Sequence, residues 1–216
     1  ALFSDITEKK RAEEMIWRQA NFDTLTNLPN RRMFHDRLTQ GLIKAQRSGL
    51  KLAVFFLDLD NFKQVNDTLG HDMGDRLLVQ AGQRIVSCVR ASDTVARLGG
   101  DEFTVILADL DDIRRVENIA GKILQLLAQP FVLGEHTAFV SASIGITVCP
   151  EDATELEALM QNADQAMYAA KRSGRSRFSY YTRAMQAQAQ ERMNLLSDLK
   201  AALHNDQLQL YFQPII

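Results

Sequence analysis

The sequence is poor in cysteine, proline and tryptophan, with two, four and one of them in 216 residues. It also lacks a charge of one sign, since 25 Lys and Arg face 27 Asp and Glu. Cys88 and Cys149 lie far apart and fit no metal-ligand spacing. So few thiols argue against a disulfide scaffold and suit a reducing cytoplasm. No apolar run approaches the roughly 20 residues that span a bilayer, and no signal-peptide pattern opens the chain. The balanced charge excludes a basic nucleic-acid-coating protein and a disordered tail. What is present is 46% hydrophobic residues with 11 Phe, enough for a real core. At about 150 residues per domain, the length suggests one domain plus extensions. The chain begins with Ala and ends at Ile216 in mid-pattern, as an excised piece of a longer protein would.

Helical and strand periods alternate along it. Residues 5–20 are charged, with a thin stripe of Ala12, Met15, Ile16 and Ala20, and Asp5 with Glu8 fits a capping box. So narrow a stripe suits a linker helix that pairs with a copy of itself, or a frayed solvated one. The segment Asn27-Leu28-Pro29-Asn30 breaks that helix, and another starts near Arg31 with Phe34, Leu38, Leu42 and Ala45 on one face. Six apolar residues, Leu52 to Leu57, predict a strand buried on both faces and ending in Asp58-Leu59-Asp60. Residues 72–90, 112–128 and 155–172 carry helical periodicity, the last stopping at Gly174 as a C′ glycine. Residues 93–98 and 103–107 read as strands around Gly99-Gly100-Asp101-Glu102, a hairpin signal. Residues 138–148 read as a further strand and 177–181 as an edge strand. Beyond Thr182 a Gln-, Ala- and Leu-rich helix is expected to about His204, then a strand over 208–216 without a partner. The alternation predicts an α/β (α+β) fold, a mixed sheet of about five strands with helices packed on it.

Asp58 stands where a buried strand emerges, and Asp101 and Glu102 stand at a hairpin tip. No cationic neighbour in sequence neutralises them. Such a cluster either repels itself or holds a hard cation, and magnesium favours carboxylates together with substrate phosphates. A solvated turn and a capping Asp would explain any one of them alone. The two glycines shift the balance, because they let backbone approach a bulky ligand.

Arg97-Leu98 followed by Gly99-Gly100-Asp101-Glu102-Phe103 resembles the signature of the GGDEF family of diguanylate cyclases. Four further stretches resemble family motifs in the expected order: residues 23–31, 58–67, 70–75 and 163–175. The resemblance covers about residues 23–181 and implies a fold similar to nucleotidyl cyclases and polymerase palm domains. It implies condensation of two GTP into cyclic di-GMP with release of pyrophosphate. By resemblance, Asp58 and Asp101, with the Leu59 carbonyl, would hold two Mg2+ (or Mn2+) per site, and Asp101 or Glu102 would deprotonate or orient the attacking hydroxyl. Asn66 and Asp75 would read guanine with His71 near them, Phe62 and Lys63 following the metal strand. Gly99 and Gly100 would approach the substrate, and Lys63, in the loop after the strand, together with Lys171 and Arg175 would neutralise the triphosphate. Without the resemblance, Asn66 and Asp75 read as helix caps, and Lys171 and Arg175 as favourable charges at a helix C-terminus. Arg90 and Asp93 sit at the spacing of the family's inhibitory product site; the plain alternative is a local ion pair. His35, His136 and His204 lack ligand partners, and the scattered methionines suit gap filling.

The flanks resemble other modules. Residues 1–22 are similar to the end of a PAS sensor domain running into a signalling helix. Residues 182–216 are similar to the first helix and strand of an EAL domain, without the residues that would hydrolyse cyclic di-GMP. Each cyclase domain binds one GTP, so a homodimer is a requirement of the implied reaction. The partners expected are GTP and cyclic di-GMP, with no nucleic acid, and with membrane contact only through absent parts of a parent. A competing expectation is a GTP-binding regulatory domain that controls a downstream EAL phosphodiesterase.

Overall fold

The structure is a computed structural model and describes residues 7–204 and Gln207. It divides into two units, residues 1–181 and 182–216. The expected Asp5 cap and the 208–216 strand lie outside the described residues. The second unit is described by one helix, α7 (Arg183–His204).

The first unit is built on β1 (Lys51–Asp60), central in a five-stranded sheet. The other strands are β2 (Thr94–Gly99), β3 (Glu102–Leu110), β6 (Ser141–Cys149) and β7 (Arg177–Tyr180), in the order β2-β3-β1-β6-β7. β1 is antiparallel to both β3 and β6, and β7 runs parallel to β6, so the sheet is mixed as expected. A separate hairpin, β4 (Phe131–Leu133) with β5 (His136–Ala138), takes up residues that the sequence reading had placed in a loop and at the start of the fourth strand.

Strand alternation divides the core in two. Ala53, Phe55, Leu57 and Leu59 face one side, packed with Leu77, Leu78, Ala81 and Ile85 of α4 (His71–Val86) and with Val116, Ala120 and Ile123 of α5 (Arg114–Leu127). Leu52 and Val54 face the other, with Phe34 and Leu38 of α2 (Arg31–Ser48) and Leu159 of α6 (Leu156–Arg172). Phe56 meets Ala163 and Met167 of α6. Burial on both faces explains the unbroken apolar run.

α2 begins at Asn30, whose side chain accepts from Met33 N, and ends at Gly49 in the left-handed region. α6 lies unusually close to the sheet: a Cβ on Gly145 would stand 1.9 Å from Ala163 O and 2.2 Å from Met167 N. That approach brings the C-terminal turn of α6 over the end of β1. α1 (Thr7–Asn21) leaves Met15, Ile16 and Trp17 exposed, and Trp17 tilts against Phe22. The segment after β1 differs from the loop expected: residues 62–69 form a two-turn helix, α3 (Phe62–Leu69), which buries Phe62 and Val65.

Candidate functional site

Five elements meet at the C-terminal end of β1. By alternation, Asp58 and Asp60 continue the face that α6 covers. Glu102 is the register partner of Asp58 on β3, and Leu59 N donates to Asp101 O at 3.3 Å, so the hairpin tip closes on the strand end. The cation that sequence proximity did not supply comes from α6: Lys171 Nζ lies 2.7 Å from Asp58 Oδ1, with the Asp58 side chain 14% exposed.

The electrostatics are undercompensated. Burial pushes the Asp58 carboxyl above its ordinary value, and Asp101 and Asp60 add to the rise against the pull of Lys171. Burial likewise raises Glu102, with Asp164, Asp58 and Asp101 repelling it and Arg31 attracting it too weakly to prevent the shift. Clustered carboxylates with raised proton affinity at a sheet end suit proton transfer or a hard cation. Among the described residues, no three His, Cys, Asp or Glu side chains are close enough to form a metal-binding cluster by themselves.

The glycine turn is open and held from one side. Gly99 and Gly100 have φ of 144° and 52°, and a Cβ on either would meet nothing within 4 Å. Arg97 donates from Nε and Nη2 to Gly100 O, at 3.0 and 2.8 Å, and from Nη1 to both oxygens of Asp23, at 2.9 and 3.0 Å. Asp23 also accepts from Thr26 N and Oγ1. Burial pushes the Asp23 carboxyl up, but the Thr26 bonds and Arg97 outweigh it and hold the group below its ordinary value. The residues following α1 are thus tied to the turn that carries Asp101.

A second group stands on α3 and α4. Asn66 lies within α3 and Asp75 within α4, so neither caps a helix. Gly74 seats Asn66 closely: a Cβ there would come within 1.8 Å of Asn66 Oδ1 and 3.2 Å of the Phe62 ring. Asn66 Oδ1 is buried without a hydrogen-bond partner. Phe62 is a core residue beneath this contact, whereas Lys63, His71 and Asp75 are exposed. The C-terminal end of α6 continues into Gly174, with φ of 111°, and Arg175 follows, Nε 3.9 Å from buried Asp60.

Arg90 and Asp93 lie on another face. Asp93 pairs with Arg115 Nη2 at 2.7 Å and accepts from the Arg90 backbone N at 3.0 Å, so the Arg90–Asp93 side-chain ion pair of the plain reading is absent. Its Oδ1 is buried and unpartnered. A depression of about 510 Å3 there is lined by Arg90, Arg114, Arg115 and Asn118 among others. A roomier cavity of about 740 Å3, between α2 and the Cys149-Pro150 turn, is lined by none of the site residues.

Sequence reasoning gave no role to Asp60, to Arg97 with Asp23, or to Arg115, whose contacts hold these groups of residues in place. Asp60 was findable, because alternation places it on the face of Asp58. Arg97 and Asp23 are 74 positions apart, and nothing in their spacing joins them.

A family profile described as diguanylate cyclase, GGDEF domain, matches residues 20–177. The chain is 44% identical over 208 residues to the bifunctional diguanylate cyclase/cyclic di-GMP phosphodiesterase MucR of Pseudomonas aeruginosa, covering 96% of this chain and 30% of that protein. It is 40% identical over 213 residues to the cyclic di-GMP phosphodiesterase PdeR of Escherichia coli, covering 99% of this chain and 32% of that one. It therefore spans about a third of the length of these relatives. The solved GGDEF domain of TpbB from P. aeruginosa superposes with a TM-score of 0.76 at 42% identity, over 78% of this chain and 99% of that domain. On this match and these likenesses, the chain belongs to the GGDEF family of diguanylate cyclase domains.

Proposed function

We propose that this domain condenses two GTP into cyclic di-GMP, each of two facing copies presenting one nucleotide. The observation that carries the reading is the meeting of Asp58, Asp101 and Glu102 with Lys171 at the end of β1. The 3′-oxygen of one GTP attacks the α-phosphorus of the other. A P–O bond forms, the bond to the β-phosphate bridge breaks, pyrophosphate leaves, and the hydroxyl proton passes to a carboxylate. A second such step closes the ring. Burial and the neighbouring carboxylates raise the proton affinity of Glu102, the direction that suits a general base. Asn66 Oδ1, buried and unpartnered, offers an acceptor to a guanine donor, and Asp75 from α4 supplies a carboxylate for the rest of that edge. Lys171 neutralises phosphate charge from the position where it now holds Asp58.

The donor set fits magnesium. Asp58 and Asp101 are hard oxygen ligands in an undercompensated cluster, and magnesium takes one or two carboxylates and completes its shell with substrate phosphates. Bound there, the ion would supply charge neutralisation at the leaving pyrophosphate and polarise the α-phosphate. Arg90 and Arg115 line the depression that would take the product as an inhibitor, with buried Asp93 fixing Arg115 from behind.

The test is product analysis by mass spectrometry after incubation with magnesium and GTP, beside an Asp101→Ala/Glu102→Ala variant. Cyclic di-GMP is expected from the native chain, with a loss of at least about a hundredfold in the variant. Gly74→Ala is expected to lower guanine-nucleotide affinity about tenfold by displacing Asn66, measured by calorimetry. PdeR is named a phosphodiesterase, and that favours a second reading in which the domain binds GTP and regulates an EAL partner. Saturable GTP binding by a dimer that makes no product would select it.

A further inference from the structure

Gly174, Arg175 and Ser176 have φ of 111°, 59° and 51°. The left-handed region is costly for residues with a Cβ, and glycine accounts for only the first of the three. Such a run persists where surrounding contacts over-determine it. Here they converge on Asp60. Its Oδ2 accepts from Ser176 N at 3.3 Å and from Ser141 Oγ at 2.6 Å, and its Oδ1 accepts from Ser143 Oγ at 2.8 Å. Arg175 N folds back on Ala170 O, and Gly174 N on Lys171 O.

Asp60 is fully buried at its side chain, while Arg175 is 55% exposed. A buried carboxylate needs a cation as well as neutral donors, and Arg175 is the one it faces. The contact is made by Nε, the inner nitrogen, at 3.9 Å. Among the described residues, no other acceptor engages that guanidinium. Asp58 and Asp60 lie two residues apart on one strand, about 6.6 Å. Asp58 takes Lys171 and Asp60 takes Arg175, so the strand spacing sets the spacing of the two cations.

We propose that Asp60 is a positioning residue for the substrate's phosphates: through the left-handed turn it holds Arg175 beside Lys171, so that the two meet a triphosphate as a pre-set pair. Its own oxygens are taken up by three neutral donors, and it acts through Arg175 without touching the nucleotide. The inference rests on the cyclase reading, which gives the cation pair its ligand.

Calorimetric titration tests it, with GMP and with a GTP analogue whose α,β-bridge is a methylene, on the native chain, Asp60→Asn, Arg175→Ala and the double variant. Asp60→Asn is expected to weaken the triphosphate about tenfold and to leave GMP within about twofold. The double variant is expected to bind no worse than Arg175→Ala, because both changes break one device. Ser141→Ala keeps the charge and removes one clamp; it shows a smaller triphosphate-selective loss, and it serves if Asp60→Asn does not melt cooperatively. Equal losses for both nucleotides, or additive losses in the double variant, overturn the proposal. Unchanged triphosphate binding in Asp60→Asn overturns it alone. A native chain that binds neither nucleotide overturns the cyclase reading and this one with it.

Discussion

Asp23, just beyond α1, and Glu102, at the start of β3, are both joined to the Gly99-Gly100 turn, and their carboxyl groups are driven in opposite directions. Asp23 receives two Thr26 donors and one Arg97 nitrogen shared between both its oxygens, and these outweigh its burial. Glu102 is pushed up by burial, and the repulsion of Asp164, Asp58 and Asp101 adds to the rise against the attraction of Arg31. The first acid holds chain segments together and has a hydrogen-bond donor on each of its oxygens. The second is left in mutual repulsion that a ligand's positive charge or a proton would relieve. Sites that act on substrates are where local electrostatic rules are broken, and this turn keeps the rule on one side and breaks it on the other.

The contrast is broken most strongly by removing the cation bonded to Asp58 on the acidic side. Lys171→Met leaves the Asp58 carboxylate, 14% exposed, without its ammonium. We expect a loss of about 1–3 kcal/mol in the ligand-free chain by chemical denaturation, since a stranded charge costs more than the pair is worth. Asp58→Asn in the same background should recover most of that loss. Failure to recover would mean that Lys171 stabilises through its stem and not through its charge.

The satisfied side predicts a smaller effect with a clear pH dependence. Asp23→Asn removes the ion pair with Arg97 and should cost about 1–2 kcal/mol at neutral pH. For a domain of this size that is a fall of about 3–6 °C in Tm. A carboxyl whose folded pKa lies below its unfolded value contributes stability that is present above the unfolded value, 3.8, and is lost as pH falls through the folded one. The native and variant melting curves should therefore converge in acid. Curves that remain parallel down to pH 3 would remove the ion pair from the explanation.

Most of the scaffold was legible because its signals are local. The double-faced burial of Leu52 to Leu57, the helix stop at Gly174 and the hairpin glycines follow from period and backbone conformation, and the structure carries each of them. The misses have a common cause. α3 is two turns long, and its stripe of Phe62 and Val65 is too short to show a period. The β4–β5 hairpin has three-residue strands and borrows its stability from Phe131 and Leu133 in the core. At the site, residue types were readable but partners were not. Lys171 reaches Asp58 across 113 positions because Gly145 lets α6 settle on the sheet, a fact of packing that spacing does not carry.

The smallest expected effect is the most discriminating, because its sign is opposite to that of Asp23→Asn. A carboxyl whose folded pKa is raised carries a penalty that is present in full above the folded value and vanishes below the unfolded one, 4.5. Neutralising it by Glu102→Gln removes the penalty at neutral pH. Glu102 is only partly buried, so water screens the repulsion, and the gain is a few tenths of a kcal/mol, about 1 °C in Tm. It should shrink as the pH falls toward 4.5, where the native side chain takes up its own proton. It should also shrink when magnesium is added at pH 7, because a bound cation relieves the same repulsion in the native chain and the variant has less of it to relieve. A Glu102→Gln chain that melts lower than the native one at pH 7 would show Glu102 to be a structural partner of Arg31, an acid of the same kind as Asp23, and the two sides of the turn would cease to differ.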